Sequence, residues 1–230
     1  MEPLLLLPGM MCDARLFTPQ INLLSAQRPV SVFPLTGADT IAAIASQIVA
    51  HAPPQFALAG LSMGGIVAME IMRQAPDRVT RLALLDTNPS SEAPERAAAR
   101  QPQIERVRAG GLRAVMRDEM KPHYLTEGPL RQPLLDLCMD MADALGEDVF
   151  EHQSRALQKR PDQSATLQRV TVPTLILCGE DDALCPVSRH QYMQSLVKDS
   201  LLVVVPGAGH MPTLEQPRLT NQAIQNWLAA

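Results

Sequence analysis

Short runs of apolar residues alternate along the chain with longer segments in which apolar positions recur every three or four residues. The short runs predict buried strands, because a strand covered on both faces needs no polar alternation. They fall at 4–7, 30–33, 56–60, 81–86, 173–178 and 201–205. The periodic segments predict helices at 13–25, 40–50, 63–74, 187–197 and 215–228. Strands that alternate with helices are typical of a parallel sheet with helices on both faces, so we predict an α/β fold with a mostly parallel sheet.

Residues 89–168 interrupt this alternation. The segment is charged and helical in pattern, has no strand signal and opens with a linker-like, proline-containing sequence. A separate helical domain would give the same pattern, but the segment is short and lies between predicted strands. Insertion as a helical lid is the more economical interpretation. We predict an α/β core formed by residues 1–88 and 169–230, with the lid at residues 89–168.

The composition and net charge of the chain indicate which kinds of molecule it can bind. The 230 residues suit one globular domain, and the 46% apolar and 19% charged content is ordinary for a protein with a large core. The net charge of −4 and the 3% aromatic content offer neither a basic surface nor a stacking platform for nucleic acid. We expect a small-molecule substrate, no nucleic-acid or membrane partner, and a monomer or homodimer.

Cysteine usage and the first residues bear on the cellular compartment. The four cysteines have no C-x-x-C spacing and are expected to be free thiols. The apolar run at 4–7 is too short for a signal peptide, follows an acidic residue and ends at Pro8. No apolar run in the sequence approaches the length of a membrane span. We therefore expect a cytoplasmic protein.

One hydroxyl lies between the third predicted strand and the helix that follows it. Ser62 has Gly60 two residues before it and Gly64 two residues after it, which is the G-x-S-x-G pattern. A strand that reverses so sharply into a helix strains the backbone and excludes neighbouring side chains, so glycine is required on both sides. The turn also places the serine at a helix N-terminus, where free N–H groups favour developing negative charge. The pattern also occurs in ordinary turns, but this context makes Ser62 our candidate nucleophile.

A serine nucleophile needs a base, and five histidines are candidates. His210 stands in a glycine-rich loop directly after a predicted strand, at the sheet edge where open α/β folds bind ligands. His51 and His190 fall on predicted helices and His152 on the lid, where we expect solvated surface positions. His210 is therefore the candidate base.

The base in turn needs a carboxylate that orients its ring. Three acids, Glu180, Asp181 and Asp182, follow the strand predicted at 173–178. A solvated acidic turn explains two of the three, and one of them is available as the partner of the histidine.

Together these residues resemble the α/β-hydrolase family, in particular its lidded esterases, over essentially the whole chain. The order of serine, acid and histidine is that of the family. Gly-Ala-Gly-His-Met-Pro resembles its histidine loop, and Pro-Thr-Leu-Ile-Leu-Cys-Gly-Glu-Asp-Asp resembles its strand before the acid. In the family the acid lies three residues after the glycine that ends this strand, which is Gly179 here. The resemblance therefore implies Asp182 as the catalytic acid and His210 as the catalytic base.

Two features depart from the family's pattern. Its oxyanion loop usually reads His-Gly-x, where this chain has Pro8, Gly9 and Met10. Because that loop acts through backbone N–H groups, the resemblance still implies Met10 and Met63 as oxyanion donors. The chain also starts at the strand that feeds this loop, so we expect about six strands, without the family's usual first two.

The resemblance implies hydrolysis of a carboxylic ester through an acyl-enzyme. Lactonases, thioesterases and C–C bond hydrolases of the family use the same triad, and a non-catalytic ligand receptor of the same fold is a further alternative. Dehalogenases and epoxide hydrolases are disfavoured because they need a carboxylate where this chain has Ser62. The sequence shows no cofactor motif and no metal-ligand spacing, so we expect neither a cofactor nor a metal.

Apolar side chains near the expected reacting groups suggest the substrate. Met11, Leu61 and Met211 are predicted substrate-binding residues, since flexible methionines adapt to varied apolar shapes. We therefore predict a preference for neutral esters with short to medium apolar acyl chains. Because the lid has slightly more acids than bases, we expect its arginines on a solvated helix surface. These arginines are Arg100, Arg106, Arg108, Arg113 and Arg117.

Overall fold

The computed structural model describes all 230 residues and contains one six-stranded sheet in which every neighbouring pair is parallel. The strands are β1 (Leu4–Leu7), β2 (Val30–Val32), β3 (Phe56–Leu61), β4 (Val79–Leu85), β5 (Thr174–Gly179) and β6 (Leu201–Val205). They lie side by side in the order β2-β1-β3-β4-β5-β6. The α/β fold class predicted from the sequence is confirmed, and the apolar runs mark the strands to within about two residues, the usual uncertainty of element ends.

Ten α-helices connect and cover the strands. They are α1 (Thr18–Leu24), α2 (Ile41–His51), α3 (Met63–Gln74), α4 (Pro94–Arg106), α5 (Leu112–Val115), α6 (Arg131–Gln158), α7 (Ser164–Leu167), α8 (Val187–Leu196), α9 (Pro212–Glu215) and α10 (Pro217–Ala229). Short 3₁₀ or π segments occur at Ala14–Phe17, Pro76–Arg78, Val107–Gly111, Met116–Met120 and Lys121–His123. None of the helices combines the length and the hydropathy needed to cross a membrane.

Side chains along the strands alternate between two apolar cores, one on each face of the sheet. In β1, Leu5 and Leu7 pack on the face that α2 and α3 cover, whereas Leu4 and Leu6 pack on the face of α1 and α10. All four leucines are fully buried, and burial of each side chain stabilises the fold by roughly 1.5–3 kcal/mol. Burial on both faces explains why this strand is an uninterrupted apolar run.

The parallel arrangement brings the ends of the central strands together at one edge of the sheet. Ser62 follows β3 directly, and the loops that carry Asp182 and His210 follow β5 and β6. In a parallel sheet this carboxyl edge is where ligands bind. Three segments that are far apart in sequence therefore converge on one region.

The segment predicted to be a lid, residues 89–168 and called the lid segment below, contains α4 to α7 and no strand. Hydrogen bonds tie it to loops at the carboxyl edge, since the Tyr124 carbonyl accepts from His210 N–H at 2.8 Å. The buried Gln153 amide accepts from Met11 N–H at 2.8 Å and donates to the Leu35 carbonyl at 2.9 Å. A buried amide paired at both ends avoids the cost of unsatisfied polar groups, so these bonds stabilise the segment above the edge.

Candidate active site

Ser62 lies on the sharp turn that joins β3 to α3. Its backbone has φ 55° and ψ −114°, a left-handed conformation that is strained for any residue with a side chain. A Cβ on Gly60 would collide with the carbonyl of Gly64, and one on Gly64 would collide with the carbonyl of Leu7. The two glycines are therefore needed because the chain packs backbone against backbone at this turn.

The loop after β6 places His210 against this serine. Ser62 Oγ–H donates to His210 Nε2 across 2.9 Å, and the His210 side chain is almost fully buried. The backbone N–H of His210 is held by the Tyr124 carbonyl, and the Tyr124 ring centroid lies 5.6 Å from that of the imidazole. The lid segment thus helps to position the ring.

Asp182 completes a chain of three hydrogen-bonded side chains. His210 Nδ1–H donates to Asp182 Oδ2 across 2.8 Å, while Asp182 Oδ1 accepts from the N–H groups of Leu184 and Cys185 at 2.8 and 3.0 Å. Burial acts to raise the pKa of Asp182, but the neighbouring imidazole and these donors outweigh it, and the pKa is lowered. An ionised Asp182 can only accept, so the proton of His210 lies on Nδ1 and Nε2 is left to accept from serine.

The three acids after β5 differ sharply in their surroundings. Glu180 and Asp181 are exposed, whereas the Asp182 side chain is completely buried. The structure therefore brings Ser62, Asp182 and His210 together, and it leaves the two neighbouring acids in solvent.

A second buried carboxyl group, which the sequence analysis did not single out, lies beside Asp182. Asp86 follows β4 with φ 44°, is fully buried, and accepts from Gly179 N–H at 2.9 Å. Burial, reinforced by the negative charge of Asp182, raises the pKa of Asp86 well above its usual range. Its position as the last residue of the strand predicted at 81–86 was a usable signal, because the ends of parallel strands share an edge.

His190 is buried, which overturns its predicted surface position. Its Nε2 accepts from Thr87 N–H at 3.1 Å, and its Nδ1–H donates to the Pro186 carbonyl at 3.3 Å. Burial lowers the pKa of His190 to about 4. Helix α8 turns this residue toward the sheet, whereas His51 is exposed and His152 partly exposed, consistent with their predictions.

This buried histidine predicts an acid-dependent loss of stability. A neutral His190 contributes stability that is complete above the pKa of about 6.5 of an unfolded histidine and is lost as the pH falls through about 4. The shift corresponds to about 3 kcal/mol. The free energy of unfolding, measured with urea, should fall between pH 7.5 and pH 4 in both proteins. The fall should be about 3 kcal/mol smaller for His190→Gln than for the wild type. An exposed-site control, His51→Gln, should match the wild type, and equal losses in all three proteins would contradict the prediction.

The two predicted oxyanion donors, Met10 and Met63, line the same cavity as Ser62 and His210. Met63 is the first residue of α3, where backbone N–H groups have no partner within the helix. Neither Met10 N–H nor Met63 N–H donates a hydrogen bond within the chain. Both groups are therefore available to an oxygen atom bound beside Ser62.

The cavity has a volume of about 330 Å³ and lies between the sheet edge and the lid segment. Its wall does not include the three predicted substrate-binding residues Met11, Leu61 and Met211. All three are buried in the apolar cores, and Met211 Sδ lies 3.4 Å from the Cys138 thiol. These predictions were wrong because proximity in sequence does not determine side-chain direction, which alternates along a strand and changes at each turn.

The part of the cavity wall that the lid segment forms carries charged side chains, whereas the sequence predicted an apolar pocket. Arg100, predicted to be solvated, lines the cavity with a side chain that is 15% exposed. Four other lid arginines do lie on the surface, in exposed or partly exposed ion pairs with acids of the lid. They are Arg106, Arg108, Arg113 and Arg117. The charged side chains on the cavity wall are Glu92, Arg96, Arg100, Glu119 and Arg160.

One cluster has the composition of a metal site. Potential ligand atoms of Asp182, Cys185 and His210 lie within 4.8 Å of one another. The carboxylate and the imidazole of this cluster are already hydrogen-bonded to each other, and burial raises the pKa of the Cys185 thiol to about 12, which disfavours the thiolate that a metal needs. The arrangement fits proton transfer better than metal binding.

The chain matches a known protein family and several known relatives. Residues 4–223 match the model of the alpha/beta hydrolase family. A putative carbamate hydrolase RutD of Klebsiella pneumoniae is 26% identical over 76% of this chain, and 3-oxoadipate enol-lactonase 2 of Acinetobacter baylyi is 26% identical over 75% of it. These alignments cover 66% and 63% of the two relatives, so the chain spans about two thirds of their length.

Solved structures show the same fold. A thermophilic esterase from Thermogutta terrifontis, in a structure with malate bound, matches with a TM-score of 0.89 and 29% identity. That match covers 100% of this chain and 90% of the esterase. Since the family model spans nearly the whole chain, the protein belongs to the α/β-hydrolase family.

Proposed function

We propose that this protein is a serine hydrolase that cleaves carboxylic esters through an acyl-enzyme, with Ser62, His210 and Asp182 as its catalytic triad. The observation that carries the proposal is the continuous path of hydrogen bonds from Ser62 Oγ through the His210 ring to Asp182, at 2.9 and 2.8 Å. Membership of the α/β-hydrolase family supports it.

The proposed reaction has two halves that use the same groups. His210 Nε2 takes the hydroxyl proton as Ser62 Oγ attacks the carbonyl carbon, and the Asp182 carboxylate stabilises the imidazolium that forms. The imidazolium then passes its proton to the departing alcohol, which leaves the acyl group on Ser62. Water repeats the sequence, with His210 as its base, and releases the acid and the free serine.

Negative charge develops on the carbonyl oxygen in both halves. The N–H groups of Met10 and Met63, which make no hydrogen bond within the chain, are the proposed donors to that oxygen. The N-terminus of α3 adds a favourable dipole at the same place. The hydroxyl of Ser62, carried on this strained turn, lies 2.9 Å from His210 Nε2.

A lactone is the second candidate substrate, because it is a cyclic ester that the same groups can open. The observation in its favour is the alignment with 3-oxoadipate enol-lactonase 2. In that case the acyl group and the alcohol stay joined, so that one product leaves.

A labelling experiment tests the proposal directly. A fluorophosphonate should modify the wild-type protein at Ser62, and mass spectrometry of the digested protein should place the adduct on that residue. The same protein should hydrolyse members of a panel of 4-nitrophenyl esters, lactones and thioesters. Activation of the serine requires a base, so His210→Ala should lose both labelling and hydrolysis.

Two results would count against the proposal. Adduct formation elsewhere, unaffected by Ser62→Ala, would show that Ser62 is not the reactive group. Labelling at Ser62 without turnover of any member of the panel would favour a ligand receptor of the same fold.

A further inference from the structure

The charged wall of the cavity contains more positive than negative charge. Glu92 is the shared partner of two arginines: Arg100 Nη2 lies 2.5 Å from Glu92 Oε2, and Arg160 Nη2 lies 3.6 Å from Glu92 Oε1. The side chains are 3% exposed for Glu92, 15% for Arg100 and 8% for Arg160. One carboxylate facing two guanidinium groups leaves one positive charge in excess among side chains that solvent reaches only slightly.

The other charged groups on the wall do not balance this excess. Glu119 is paired with Arg106 at 2.6 Å and accepts from Gln103 at 3.1 Å. Arg96 lines the same wall but is exposed, so solvent screens its positive charge. The exposed His123 also lines the cavity. Apart from Glu92, no acid on the wall is free to neutralise the arginines.

Some donor groups of Arg160 and Arg100 have no acceptor or only a weak one. Arg160 Nε is buried and has no hydrogen-bond partner. Arg160 Nη2 makes one long hydrogen bond, of 3.4 Å, to Asn88 Oδ1, besides its 3.6 Å ion pair with Glu92. Arg100 Nη1 has only the Met10 sulfur at 3.8 Å, a weak acceptor. Burial lowers the pKa of Arg160, and Glu92 opposes this only in part. A buried cation with an unpaired N–H is costly unless an anion completes the site.

We propose that Arg160 and Arg100 form a binding site for a carboxylate group of the substrate, so that this hydrolase acts on anionic esters or lactones. The inference rests on the proposed function, because it names the substrate class of that same cavity. The planar guanidinium groups match a carboxylate through paired N–H donors. Arg100 Nη1 contacts Met10, a proposed oxyanion donor, so the carboxylate binds in the same cavity as the reacting ester group.

This proposal replaces the neutral apolar ester expected from the sequence. That expectation depended on methionines that are buried in the cores and on lid arginines placed in solvent. The cavity of about 330 Å³ is of the size that holds small molecules. A small substrate that carries both a carboxylate and an ester group is consistent with the volume and the charges.

A matched pair of substrates tests the inference. The 4-nitrophenyl ester of hydrogen adipate carries a free carboxylate, and the 4-nitrophenyl ester of methyl adipate has the same chain without the charge. We expect wild-type kcat/KM to favour the anionic ester, and Arg160→Gln to lower the anionic-to-neutral ratio by about tenfold or more. Arg160→Lys should give a ratio between those of Arg160→Gln and the wild type, because lysine keeps the positive charge but lacks the paired N–H donors of the guanidinium group. Arg100→Gln provides a second test if Arg160→Gln is unstable.

Two further variants separate binding from a merely structural role. Glu92→Gln removes the acid that competes with the substrate, so it should raise the ratio rather than lower it. Arg108→Gln is the matched control, since Arg108 is an exposed lid arginine paired with Glu151, and it should leave the ratio unchanged. A wild-type preference for the neutral ester, or a ratio that Arg160→Gln does not change, would overturn the inference.

A binding measurement on a variant that cannot hydrolyse esters tests the anion site separately from the proposed function. Calorimetric titration of Ser62→Ala protein with adipate should show binding that Arg160→Gln abolishes or weakens by about tenfold. If no ester is hydrolysed but adipate binds in this way, the anion site stands and the proposed function fails. If esters are hydrolysed without discrimination and adipate does not bind, the proposed function stands and the anion site fails.

Discussion

Replacing Ser62 by alanine is expected to lower kcat for ester hydrolysis by about 10⁶-fold, by analogy with other serine hydrolases that lack their nucleophile. The substitution removes the hydroxyl that lies 2.9 Å from His210 Nε2, so no acyl-enzyme can form. The fold does not depend on this hydroxyl, because α3 takes no side-chain cap from Ser62 and the backbone N–H of Ser62 still reaches the Leu85 carbonyl. The variant should therefore unfold at nearly the temperature of the wild type.

Steady-state kinetics and thermal unfolding, measured on the same preparations, test this expectation. Ser188→Ala is the matched control, since Ser188 is an exposed residue of α8 and should tolerate the change. A Ser62→Ala protein that keeps a tenth of the activity, with an unchanged unfolding temperature, would remove Ser62 as the nucleophile.

Asp182→Asn is expected to lower kcat by about 10⁴-fold, the magnitude found when the acid of another serine triad is changed to its amide. An asparagine can donate to His210 Nδ1, which would place the ring proton on Nε2, facing Ser62. In that tautomer the ring cannot take the serine proton. The amide oxygen can still accept from Leu184 and Cys185 N–H, so the loop should keep its shape.

The neighbouring acids supply the controls for this change. Asp181→Asn and Glu180→Gln alter exposed side chains and should each leave kcat within a small factor of the wild type. If Asp181→Asn were the damaging substitution, the acid would be Asp181 and the proposed triad would be wrong by one position.

Local sequence was sufficient to predict the sheet and the turn at Ser62. Strands buried on both faces leave short uninterrupted apolar runs, such as residues 4–7, which end at turn residues such as Pro8 and Gly9. The reversal at Ser62 packs backbone against backbone, so only glycine fits at positions 60 and 64. The apolar run and the two glycines can both be recognised locally, because any sequence that forms such a strand or such a turn must meet the same packing requirement.

Predicting the partners of Ser62, His210 and Asp182, required more than the local sequence pattern. His210 was distinguished by its glycine-rich loop after a strand, and parallel strand ends meet at one edge. The choice of Asp182 over Asp181 came from resemblance to a family. In the structure it corresponds to a difference in burial, since Asp182 is enclosed and Asp181 is exposed. The raised pKa of Asp86 likewise results from its burial and from the charge of Asp182.

Only the tertiary structure decided which side chains line the cavity. Met11 and Leu61 are close to the reacting groups in sequence, yet the turn and the strand direct their side chains into the cores. Arg160 is remote from Ser62 in sequence, and the packing of the lid segment brings it into the same cavity wall. Side-chain direction and long-range packing set the charge of a cavity, and neither can be read from composition or local periodicity.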